Sequence, residues 1–167
     1  LLVVVAIIGI LAAVGTVAYQ GYTEGAKKST AKSNHASVVK YIVAEDAKCT
    51  VGTNKVFGVT VDDDTASVVG TSFQCKGRTP TTILEAAEEA LKEFKNPYDN
   101  DSTAVEDGGT AANKAGAITA AKTDGQEGKV VMAPDDTNDL VFIYTCHTKK
   151  CSASDDNVVA NELSVAE

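Results

Sequence analysis

From Leu1 to Val14 no side chain is polar, and Thr16 is the only polar side chain before Tyr19. An apolar run of about 18 residues has the length that crosses a bilayer. The pattern then changes rather than stops. Lys27, Lys28, Lys32, Lys40 and Lys48 enter, while Ala36, Val39, Val43 and Ala47 recur at three- and four-residue steps. That spacing predicts an amphipathic helix with one core-facing stripe. No proline interrupts residues 1–48, so the two patterns predict a single helix roughly 70 Å long. Gly9, Gly15, Gly21 and Gly25 are its weak points, each costing about 1 kcal/mol relative to Ala.

Beyond the helix the pattern breaks into short pieces. Thr50 to Arg78 reads as a loop, with a candidate strand at Val56–Val61 and a turn at Asp62–Asp64. A second helix starts at Thr79 or Thr82. Pro80 suits a first turn, and Thr82 followed by Glu85 has the spacing of a capping box. Ile83, Leu84, Ala87, Leu91 and Phe94 form its apolar face, and Asn96-Pro97 ends it. Pro97 to Gly128 is polar and small, with acids at Asp99, Asp101, Glu106, Asp107 and Asp124, and predicts loops. Three strands follow, at Lys129–Ala133, Leu140–Cys146 and about Val158–Val165. The fold class is therefore α+β: a long N-terminal helix packed on an antiparallel C-terminal sheet, whose other face meets water. Residues 1–25 form the apolar half of the helix, and residues 26–167 form a head.

The net charge of −8 argues against a nucleic-acid surface, since phosphate is repelled. Cys49, Cys75, Cys146 and Cys151 are an even set beside a membrane or export segment, which favours two disulfides. Three pairings are possible. Nearness in chain order selects Cys49–Cys75 and Cys146–Cys151, contributing roughly 3.5 and roughly 2 kcal/mol in the chain-entropy model. Zinc is the weaker reading, because two lysines and no second ligand pair accompany His147 between the last two cysteines. His35, on the amphipathic helix, is expected at the surface or between subunits. No nucleophile–base order, phosphate loop or metal-ligand spacing stands out, so neither catalysis nor a cofactor is expected. Lys27, Lys28 and Lys32 follow the apolar run closely, where they can meet anionic headgroups or the carboxylates of a neighbouring head.

The order Val5-Ala6-Ile7-Ile8-Gly9-Ile10-Leu11-Ala12-Ala13, followed by Ala18-Tyr19-Gln20 and a lysine-bearing amphipathic helix, resembles the N-terminal segment of type IV pilins. The resemblance is dense from Leu1 to about Tyr22 and architectural beyond it. It implies a precursor whose leader is removed and whose new N-terminal residue is methylated. It further implies a subunit held in the inner membrane, handled there by the pilus assembly machinery, and then polymerised with copies of itself into an extracellular helical filament. Such a filament serves surface attachment or motility, and surface or glycan contacts belong to its heads. Leu1, Leu2, Val3, Val4, Val5, Ala6, Ile7, Ile8, Gly9, Ile10, Leu11, Ala12, Ala13 and Val14 would form its core. The small residues Ala6, Gly9, Ala12, Ala13 and Gly15 would let helices approach closely. The Cys146–Cys151 segment would be a surface loop, offering Thr148, Lys149 and Lys150 to partners.

Two departures shape the expectations. The family opens with Phe-Thr-Leu-Ile-Glu, a segment that would stand just before Leu1. Its glutamate, which neutralises a neighbour's N-terminal amine, has no counterpart in residues 1–167, so the resemblance implies that these residues are part of a longer mature subunit. Val17 stands where many pilins carry a helix-kinking proline. Gly9, Gly15 and Val17 remain the weak points, and a stretched or non-helical segment between Gly9 and Val17 is expected in an assembled filament. A pseudopilin of a type II secretion system shares the N-terminal helix and is the alternative. There Asp135, Asp136, Asn138 and Asp139, or Asp99, Asn100 and Asp101, would be candidate calcium ligands.

Overall fold

A computed structural model of the chain describes residues 2–64, 70–109, 114–123 and 125–165. Leu1 and Asp124, both named above, lie outside the described residues. Helix α1 runs unbroken from Leu2 to Val51. A short hairpin of β1 (Lys55–Val56) and β2 (Val59–Val61) follows, with β3 (Ser72–Phe73) parallel to β2. Helix α2 (Pro80–Ala90) leads to β4 (Val105–Asp107), α3 (Lys114–Ala121), β5 (Val130–Asp135), β6 (Leu140–Cys146) and β7 (Val158–Ser164). The main sheet has the order β4-β5-β6-β7. Strands β5, β6 and β7 are antiparallel neighbours, with Met132 opposite Ile143 and Ile143 opposite Asn161. Strand β4 joins β5 in parallel.

The buried stripe of α1 is not the one that hydropathy selects. Ala31, His35, Val38, Ile42 and Glu45 are buried, while Ala36, Val43 and Ala47 are exposed and Val39 only flanks the core. Steps of four, three, four and three residues keep the first set on one face. Two of its five members are polar, so ranking by apolarity rotates the stripe by about one residue. His35 is therefore a core residue and not a surface one. Its Nε2 lies 2.7 Å from Asn161 Oδ1 and its Nδ1 lies 3.0 Å from Thr145 Oγ1. An amide oxygen only accepts, so Nε2 carries the proton and Nδ1 accepts from the threonine hydroxyl. Glu45 is held as tightly, accepting from Phe57 N at 2.7 Å and from Lys48 Nζ at 2.6 Å.

That glutamate explains a second difference. The candidate strand Val56–Val61 is in fact a hairpin, turned at Phe57 (φ 51°) and Gly58 (φ 80°). Positive φ at both central residues matches the twist of a two-residue hairpin. Gly58 takes it freely, but Phe57 does not. Burial of the Phe57 ring against Tyr41 and Phe73, at 5.9 and 5.2 Å between centroids, together with the bond to Glu45, offsets the strain.

Helix α2 begins as its sequence suggests, with a shifted cap. Thr79 is the N-cap, its hydroxyl accepts from Thr82 N, and Thr82 reaches back to Thr79 N, with Pro80 in the first turn. Its capping partner is Thr82 rather than Glu85. Ile83, Leu84, Ala87 and Leu91 are buried, but the helix stops at Ala90, well before Pro97. Two elements occupy the stretch expected to be loop, β4 and α3. Helix α3 also removes the water-facing side of the sheet. Val131, Ala133, Phe142 and Tyr144 form a second core with Ala121 on that face, while Val130, Met132, Val141 and Ile143 meet α1 and α2 on the other. Disulfides join Cys49 to Cys75 and Cys146 to Cys151.

Candidate assembly surface

Every residue from Leu2 to Tyr22 is exposed. Leu2 is 88 % accessible, Leu11 66 % and Val17 71 %, and none of the other described residues covers this half of the helix. Twenty-one residues at 1.5 Å each make about 31 Å, the thickness of a bilayer's hydrocarbon core. Helix α1 is the one helix among the described residues that is long and apolar enough to cross a membrane. Thr16 fits such surroundings because its hydroxyl donates to Ala13 O at 3.0 Å.

The residues expected to form an assembly core, Leu2 through Val14, are thus presented together on a rigid rod. A Cβ added at Gly9 or Gly15 would meet no atom within 4 Å. Among the described residues these glycines make room for no contact; they leave shallow places on the outside of the helix. The backbone is helical through Gly9, Gly15 and Val17 in the single chain. Counting along the helix, Ala6, Gly9, Ala13 and Thr16 recur at three- and four-residue steps and, continued by Gln20, Glu24 and Lys27, lead into Ala31, Val38 and Ile42. The face with the smallest side chains in the apolar half is therefore continuous with the face that meets the sheet.

Between the two halves stands a cationic collar. Lys27 Nζ lies 5.7 Å from the centre of the Tyr98 ring, a cation–π distance. Lys28 and Lys32 are exposed. The collar borders the disulfide-bounded loop that joins β6 to β7. His147 N donates to Asn157 O at 3.0 Å, and Tyr98 Oη donates to His147 O at 2.8 Å. His147 is 1 % exposed, and its Nδ1 has no hydrogen-bond partner among the described residues. Burial lowers its pKa below 6.5, and Lys32 and Lys28 lower it further. Lys149 and Lys150 are exposed in the same loop, and Thr148 is half-buried.

The opposite flank of the head is acidic. Glu88 on α2, one turn from Glu85, lies beside Asp107 and Glu106 on β4 and accepts a hydrogen bond from the Asp107 backbone; β4 is the strand at the far edge of the sheet from β7. Partial burial raises the pKa of Glu88, and the charges of Asp107, Glu106 and Glu85 raise it further. Spacing along the chain gave no sign of this cluster, because two separate elements assemble it.

Three of the aspartates considered as calcium ligands, Asp99, Asp135 and Asp136, accept hydrogen bonds within the chain. Asp135 Oδ1 accepts from Thr137 N and Asn138 N, and Asp99 Oδ1 accepts from Asp101 N. Asp136 reaches across to α2, accepting from Thr81 N at 3.0 Å and from Thr81 Oγ1 at 2.6 Å. Among the described residues no three His, Cys, Asp or Glu side chains converge as a metal site. All four cysteines are bridged. No protein-family model, curated protein or solved structure matches the chain.

Proposed function

We propose that this chain is a type IV pilin-like subunit, held in the inner membrane by the first half of α1 and then polymerised into an extracellular filament. The observation that carries the reading is the division of α1. One continuous helix is fully exposed and apolar from Leu2 to Tyr22, then folded into a head from Ala31 to Cys49. Covering one exposed Leu, Ile or Val side chain is worth about 1.5–3 kcal/mol, so the exposed half must be covered by lipid or by other helices. A rod already fixed to a folded head can exchange the first cover for the second without refolding. Ala6, Gly9, Ala12, Ala13 and Gly15 favour the exchange, since small residues let helices approach in the absence of water. The acidic head suits the outer wall of such a filament, with contacts to surfaces or glycans made there, and disfavours nucleic acid along the shaft.

Electron microscopy of material sheared from producing cells, followed by helical reconstruction, tests the reading. The expected result is a filament with the Leu2–Tyr22 segments at its centre, the heads outside, and a stretch between Gly9 and Val17 that has lost helical hydrogen bonds. Membrane-bound monomers with no filament would overturn it and favour a plain anchor or a secretion-system pseudopilin.

A further inference from the structure

The two charged flanks described above are complementary, and each holds charges that meet no opposite charge among the described residues. Lys28 and Lys32 pair with no carboxylate among the described residues, and in the adjoining loop Asp155 is already taken by Lys122. On the far flank Lys129 engages Glu106 at 2.6 Å and Lys92 engages Glu89 at 2.5 Å. Glu85, Glu88 and Asp107 are left without a cation among the described residues.

Their levels along the long helix differ in a definite sense. Arg78, just before α2, binds Asp46 at 2.6 Å, and Lys95 O, just past α2, lies 3.5 Å from Asn34 Nδ2. Helix α2 thus runs antiparallel to α1, from the level of Asp46 down to that of Asn34, with Glu88 roughly midway. The collar sits about ten residues lower on α1, which is about 15 Å at 1.5 Å per residue. The flanks also lie toward different edges of the sheet, although α1 and α2 share one of its faces. Lys28 and Lys32 adjoin His147 at the β6–β7 end, whereas Glu85 and Glu88 adjoin the β4 edge.

We infer that the Lys28–Lys32 face of α1 in one copy docks on the Glu85–Glu88–Asp107 flank of a second copy displaced along the helix axis. The inference rests on the filament reading above and gives it a lateral contact. A second copy is the occupant because one chain carries both halves of the contact, toward different edges of the sheet and at different heights. Such an interface joins unlike surfaces. It therefore repeats from copy to copy, and its axial step of about 15 Å makes the repeat an open helix rather than a closed pair. Docking also relieves the crowding of like charges around Glu88, since cations there stabilise its ionised form.

The test uses the full-length subunit in its producing cells. Lys28→Glu with Lys32→Glu, and separately Glu85→Lys with Glu88→Lys, are each expected to lower the yield of filaments about tenfold by opposing like charges. Combining all four changes is expected to restore it. In addition, zero-length carbodiimide treatment of filaments grown from mixed isotope-labelled and unlabelled copies is expected to join Lys28 or Lys32 of one isotope to Glu85 or Glu88 of the other. A wild-type filament whose four-fold variant assembles no better than either double variant, with no inter-copy cross-link at these residues, overturns the contact and leaves the filament reading standing. A wild type that forms no filament overturns both.

Discussion

The two halves of α1 invert the usual relation between polarity and burial. From Leu2 to Tyr22 the helix is apolar and wholly exposed; from Ala31 to Cys49 it is studded with charge, and its buried face includes His35 and Glu45. The apolar half has no partner among the described residues, so its stability depends on what surrounds it. The polar half has specific partners on three different elements, Thr145 on β6, Asn161 on β7 and the backbone of Phe57 in the β1–β2 hairpin. Non-directional apolar surface can accept lipid or a neighbouring helix in turn. Hydrogen-bonded polar groups accept one geometry and fix how the rod enters the head. The division assigns exchange to one half and registration to the other.

The two halves should respond very differently to substitution and to pH. The largest expected effect is in the head: Ile42→Ala, at a site 2 % exposed, should destabilise it by about 2–5 kcal/mol, read as a fall in the thermal midpoint of the full chain in detergent. Next is the small loop. Replacing Cys146 and Cys151 by Ser should cost about 2 kcal/mol, because the closed loop is short, and a midpoint equal to wild type would remove the bridge from the stabilising set. A smaller effect should appear on acidification. Burial lowers the His35 pKa below 6.5, outweighing the opposing hydrogen bond with Asn161. The unfolded chain therefore takes up the proton first, so this contribution is complete above 6.5 and is lost as pH falls below it. His147 acts in the same direction. The midpoint should drop between about pH 7 and pH 5, and His35→Gln should flatten part of that slope; an unchanged slope would mean that His35 is not the group responsible. The smallest effect belongs to the exposed half. Ile8→Ala, at a site 60 % accessible, should leave the head's midpoint within about 0.5 kcal/mol of wild type. A loss like that of Ile42→Ala would show that the two halves are not independent.

The elements with a strong single period were legible in the sequence. The long helix, the apolar face of α2 and the strand Leu140–Cys146 are found where periodicity places them. What periodicity missed has physical causes. His35 and Glu45 are polar at core positions; the partners of His35 lie more than a hundred residues away, and Glu45 is buried by the hairpin turn that follows the helix. Strand β4 is three residues long and pairs in parallel with β5 across a long connection, so no hairpin signal announces it. Helix α3 is built of Ala, Gly, Thr and Lys with one Ile, too small and weakly patterned to show an apolar face, although Ala121 at its end closes the second core. The exposed apolar surface was fully readable from residue order, while the acidic flank opposite the collar was not, because tertiary structure alone brings α2 beside β4.

The Cys49–Cys75 bridge has a mechanical consequence. It ties the end of α1 to the residues leading into α2, across a separation of 26 in sequence, and Arg78 with Asp46 repeats the tie by charge at 2.6 Å. Tension entering along α1 therefore passes to α2 through one covalent bond and does not draw on the slack of the chain between them. From α2 it continues through Thr81 to Asp136 in the turn between β5 and β6. The hairpin and β3, lying inside the bridged segment, are shielded from the load, and a pull on the rod is borne by the helices and the main sheet together.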